Sequence, residues 1–92
     1  MNRRERLQAQ AELALDAQEE ALLLKDVGNL EWLADDPDCP DVMRLAALTE
    51  ELGEIARCLH DNDRDNLQLE LAQLAGIALA WGVSLDQMSL LP

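Results

Sequence analysis

The sequence predicts an all-α fold: a long N-terminal helix followed by a helical hairpin, completed into a bundle by self-association. Three observations predict it. Apolar residues make up 49% of the 92 residues and are mostly Leu and Ala, with two Trp and no Phe or Tyr; scarce aromatic and β-branched residues favour helices over sheet. Leu and Ala recur at three- and four-residue steps through three segments. A chain this short also builds only a thin core, and a second copy is the usual way to complete one.

The first segment runs over residues 3–27. Leu7, Ala11, Ala14, Ala17, Ala21 and Leu24 mark its helical stripe, and Gly28-Asn29 ends it. Its opening Arg3-Arg4-Glu5-Arg6 reads as a solvated first turn or as a contact for an acidic partner. Residues 29–41, NLEWLADDPDCPD, then break the pattern. Leu30, Trp32 and Leu33 suggest a short helical turn, ended by Pro37 and Pro40. Asp35, Asp36 and Asp38 read far better as a capping and turn segment than as a calcium loop, because the closing Glu of an EF-hand is missing. Trp32 has two readings, core anchor or stacking platform for a base.

The hairpin spans residues 41–81. Leu48, Leu52, Ile55 and Leu59 form one seam; Leu67, Leu71, Leu74 and Ala78 form the other. Between them His60–Asp65 is wholly polar, and Asp65 with Gln68 fits a capping box. Gly82 is expected to stop the second helix, leaving a tail over 82–92 with a short turn at 85–91 capped by Ser84 and Gln87. The whole chain is read as one domain. Its most apolar run, Leu71–Leu85, is too short to span a bilayer, and the N-terminus lacks the apolar core of a signal peptide.

Seven Lys+Arg stand against 19 Asp+Glu, a formal charge of −12. Such a surface repels nucleic acid polymers, and an anionic substrate would need bridging cations. Cys39, Cys58 and the lone His60 match no familiar zinc spacing. A reducing, cytoplasmic setting is the simplest expectation for the two cysteines.

The chemistry concentrates on the hairpin. Glu51 and Glu54 lie three apart on its first helix, Glu70 and Gln73 three apart on its second, so each pair shares a face. Glu54 and Glu70 are both eight residues from Asn62, and Glu51 and Gln73 both eleven. An antiparallel hairpin therefore sets the pairs at equal heights. Carboxylates so placed repel one another, a cost that a hard divalent cation removes; the plainer reading is a solvated edge of the bundle.

The pattern Glu50-Glu51-Leu52-Gly53-Glu54, followed by Glu70 and a polar partner three residues on, resembles the MazG-like nucleotide pyrophosphohydrolases. Their hallmark is Glu-Glu-x-x-Glu on one helix and Glu-x-x-Asp on the next. The resemblance covers about Leu45 to Gln87. It implies an all-α homodimer or homotetramer that hydrolyses a nucleoside triphosphate to the monophosphate and pyrophosphate with Mg²⁺, or Mn²⁺. Glu51, Glu54, Glu70 and Gln73 would hold the metal, with Glu50 and Glu51 as the catalytic pair. Trp32 and Trp81 are candidates for the base, Arg57 and Arg64 for phosphate. Gln73 departs from the family's Asp, and no basic C-terminal segment follows. A non-catalytic helical oligomerisation or interaction module is the alternative.

Overall fold

The structure, a computed structural model, describes residues 1–89. They form three helices and, among the described residues, no strand: α1 (Arg3–Asp26), α2 (Asp41–His60) and α3 (Arg64–Ser89). Local chemistry sets most of the ends. Asn2 caps α1 through a reciprocal box with Glu5, at 2.9 and 3.2 Å. Gly28, at φ +83°, closes it: Asn29 N–H reaches Leu24 O at 2.8 Å and Gly28 N–H reaches Lys25 O at 3.0 Å. Asn62, at φ +54°, repeats the device after α2, with Asp63 N–H on Cys58 O at 2.9 Å.

Three expectations are corrected. The cap of α3 is Asp63, not Asp65: its carboxylate accepts from the Asn66 backbone N–H at 3.2 Å and from the Asn66 amide at 2.6 Å. The Schellman turn ends at Asp63, so the helix starts two residues earlier, and Gln68 instead donates to Gln10 of α1 at 3.2 Å. Leu30–Leu33 forms no helical turn; tight turns follow it at 33–36 and 36–39. Gly82 does not stop α3. It keeps a helical backbone, while Ser84 beyond it is 3% exposed and donates to Trp81 O at 2.7 Å. Helix therefore continues where a tail was expected; the Gln87 side chain and residues 90–92 lie outside the described part. Over Arg64–Asp86, α3 is long and apolar enough to cross a membrane by length and composition, although Leu71–Leu85 alone is not.

The three helices form an open layer rather than a closed bundle. α3 lies in the middle and packs against α1 on one side and α2 on the other; α1 and α2 do not meet. Against α1, α3 presents Ala72, Gly76 and Ala80 at four-residue steps, all buried. At their centre the helices approach so closely that a Cβ on Gly76 would stand 2.8 Å from the carbonyl oxygen of Ala14. Among the described residues the buried apolar set is small: Ala14, Cys39, Cys58, Ala72 and Ala80, with no large side chain fully enclosed. Leu7 and Leu24 of the α1 stripe, and Leu52, Leu59 and Leu71 of the hairpin seams, stand about half exposed.

Gly76→Ala is expected to lower stability by about 1–3 kcal/mol in urea unfolding, the range for overpacking, because a backbone oxygen cannot step aside. Gly53→Ala, where a Cβ meets nothing within 4 Å, should instead raise it by roughly 0.5–1 kcal/mol through helix propensity.

Candidate functional site

Because α1 and α2 splay apart over α3, a cleft of about 540 Å³ opens between them. Gln73 and Ile77 of α3 form its floor. Ala17, Gln18, Ala21 and Leu24 of α1 form one wall, and Met43, Ala47, Glu50 and Glu51 of α2 the other. The α1–α2 connection, with Leu30, Trp32 and Leu33, closes one end. The cleft is thus apolar toward Trp32 and acidic toward Glu51.

The connection is held by buried charge. The Arg44 side chain is 5% exposed. Its Nε donates to Ala34 O at 2.7 Å, Nη2 to Asp36 O at 2.9 Å and Nη1 to Asp41 Oδ1 at 2.7 Å. Asp36 accepts from the Leu33 N–H at 2.8 Å and from Lys25 Nζ at 2.5 Å. The Lys25 hydrogen bond, then that of Leu33, holds the Asp36 carboxyl below its ordinary range, and the same pair raises Lys25. Arg44 and Lys25 are thus spent on holding the connection that carries Trp32.

At the acidic end, three of the hairpin's polar side chains converge. With its amide oriented by its neighbours, Gln73 donates to Glu70 Oε2 at 2.8 Å and to Glu51 Oε2 at 3.1 Å. Glu51 and Gln73 do lie at one height. Glu51 is also hydrogen-bonded to Glu70, and its carboxyl is pushed up to about 8: burial is the largest cause, followed by that hydrogen bond and the Glu70 charge. The Glu51 carboxyl therefore keeps its proton at neutral pH. Glu54, one turn along, forms an ion pair with Arg57 instead. Among the described residues, no three His, Cys, Asp or Glu side chains gather closely enough to hold a metal by themselves.

The other residues singled out from the sequence scatter. Glu50 is exposed at the cleft wall and Trp32 lines the closed end. Trp81 is half-buried on α3 outside the cleft lining, and Arg57 and Arg64 are exposed. Gln18 of α1, packed over Gly76, is a cleft residue that the sequence did not single out; α1 has no acidic pattern to draw attention to it. Compared with family models, curated proteins and solved structures, the chain finds no match.

The proton on Glu51 makes stability pH-dependent with a definite sign. A carboxyl whose folded pKa lies above its unfolded value binds more protons folded, so its contribution is fully present below about 4.5 and is lost as pH rises through about 8. The melting temperature of the wild type should therefore fall, relative to Glu51→Gln, between pH 4.5 and 8. Parallel pH profiles for the two proteins would show that Glu51 is not the titrating group. Separately, Arg44→Ala leaves two carbonyls without their donor and should cost about 2–3 kcal/mol in chemical denaturation.

Proposed function

We propose that the cleft is the active site of a Mg²⁺-dependent nucleoside triphosphate pyrophosphohydrolase, built by copies of the chain that associate. The observation that carries this reading is the meeting of Glu51, Glu70 and Gln73 at one end of a cleft whose other end holds Trp32. Two carboxylates forced together over an amide are an oxygen donor set suited to a hard cation. The proton on Glu51 occupies the place of that charge, and the Gln73 amide, turned half a revolution, would offer its oxygen to the same point. Glu54, released from Arg57, is one turn away to extend the set.

The bound cation would neutralise phosphate oxygens and activate water, which also accounts for how so acidic a chain holds a triphosphate. The residues themselves do the rest. Glu51, Glu70 and Gln73 would hold the cation, Glu50 at the cleft wall would orient the attacking water and take its proton, and Trp32 would offer a flat apolar surface to the base. Water then bonds to phosphorus as the bridge between the α- and β-phosphates breaks and pyrophosphate leaves. Of the acidic pattern, Glu50, Glu51 and Gln73 line the cleft, which supports this reading. Arg57 and Arg64, on the exposed surface, are less well placed than Trp32 to meet the substrate.

Mg²⁺ at ten times its Kd should raise the melting temperature by about 5–10 °C, since it binds only the folded state. Pyrophosphate release from a panel of NTPs and dNTPs should fall about 10²-fold or more in Glu51→Gln, the scale of losing a positioned base or charge stabiliser. Equal background release from wild type and variant would overturn the enzyme reading and leave a non-catalytic helical module.

A further inference from the structure

Gln18 is a half-buried amide in the middle of the cleft, and two features that oppose stability put it there. Its Cγ and Nε2 lie over Gly76, 3.1 and 3.2 Å from where a Cβ on that residue would stand. Gly76 is an interior helix glycine, less favourable than Ala, and its missing side chain admits both the Ala14 carbonyl and this amide. The amide itself is the second feature. Gln10 and Gln68 satisfy one another, and Gln73 donates to Glu70 and Glu51. Gln18 has no hydrogen-bond partner among the described residues. A Leu there would pack on the same surface without desolvating a polar group.

The helix directions fix its place along the cleft. Gln10 meets Gln68 and Gln18 meets Gly76, so α1 and α3 run the same way, with α2 antiparallel to both. From the acidic end the floor passes Gln73 and then Ile77, and Gly76 stands about one helical turn, roughly 5 Å, beyond Gln73. Over the same rise α1 passes Gln18 and then Leu24, before the chain turns at Gly28 into the connection that carries Trp32. Gln18 therefore lies between the acidic end and Trp32. Around it the lining is Ala17, Ala21, Ala47 and Ile77, whose side chains make no hydrogen bonds. The nearest cations, Arg44 and Lys25, are committed to the connection. In the middle of the cleft this amide is the polar side chain left to meet a ligand.

A nucleotide laid along the cleft, phosphates toward Glu51, Glu70 and Gln73 and base toward Trp32, puts its sugar between them. We propose that Gln18 recognises that sugar as a ribose, its carbonyl oxygen accepting from one hydroxyl and its N–H donating to the neighbouring one. This rests on the reading of the cleft as a nucleotide site and names its substrate class, ribonucleotides. A side-chain amide carries an acceptor and a donor side by side. A vicinal diol satisfies both. A 2′-deoxy sugar has one hydroxyl at that edge and leaves half of the amide unpaired, and a polar group left unpaired in a partly dry site is what penalises the wrong ligand.

Binding rather than turnover tests it. Calorimetry of the full chain with Mg²⁺ compares AMP, CMP, GMP and UMP, each against its 2′-deoxy counterpart. The wild type is expected to bind the ribose forms about 10-fold more tightly, the scale of one hydrogen bond, and Gln18→Leu to bind both forms alike. A wild type without sugar preference, or a folded Gln18→Leu that keeps it, overturns the inference. So does a preference among bases that Gln18→Leu abolishes while the sugar preference stays, which would set the amide against the base. Should Gln18→Leu fail to fold, Gln18→Asn decides: it keeps the amide but draws it back by one methylene. Loss of the sugar preference in that variant supports the proposal, and its retention overturns it. A wild type that binds none of these nucleotides overturns this inference and the nucleotide reading together. Sugar-selective binding without pyrophosphate release from NTPs supports the role of Gln18 and overturns the enzyme reading alone.

Discussion

The packing of two helices on opposite sides of α3 is the constraint on which the rest of the molecule depends. α1 and α2 touch α3 and not each other. The α1 side works through closeness: Ala72, Gly76 and Ala80 leave no side chain in the way, and the Ala14 carbonyl fills the space a Cβ would need. The α2 side works through size, with Leu48, Ile55, Leu67 and Leu74 half-buried between the helices. The outer helices pack on different sides of α3 without meeting, and the cleft is the gap left over. The one covalent tie across that gap, residues 27–40, has little apolar burial of its own. Arg44 and the Lys25–Asp36 pair hold it, by donating to carbonyls and carboxylates that would otherwise face a half-dry interior.

The electrostatics follow the same geometry. Glu51 sits where α2 meets α3, so its carboxylate loses water and gains Glu70 as a neighbour; both effects hold a proton on it. Glu54 lies one turn nearer the hairpin's end, where Arg57 is in reach, and its charge is met locally. Two acids three residues apart on one helix thus live in different environments. One holds a proton beside its neighbour, and the other is a surface ion pair of small worth.

Much of this was legible in the sequence. Gly28 and the polar loop around Asn62 end α1 and α2 because each supplies the left-handed residue that a helix terminus needs. The hairpin register followed from counting to Asn62, and Glu51 does meet Gln73 across it. What was misread shares one cause, local rules applied where packing decides. Gly82 looks like Gly28 in the sequence, but Trp81 and Ser84 are held against the molecule on either side of it and the helix runs on. Asp65 has the right partner at Gln68, yet the turn closes two residues earlier and hands the cap to Asp63. The role of α1 as a cleft wall was hidden because its apolar residues are spread around the helix. Nor does a lone arginine in a helix announce that it will reach back ten residues to hold a loop.

The open cleft and the incomplete core are one fact seen from two sides. Helices in a single layer cannot enclose large side chains, and a stable domain needs a second layer against the first. On the concave side a second layer would bury the acidic rim of Glu50 and Glu51, at the cost of desolvating charge. On the other side the leucines of α2 and α3 are neutral, regularly spaced and half exposed, so covering them would bury no charge on those two helices.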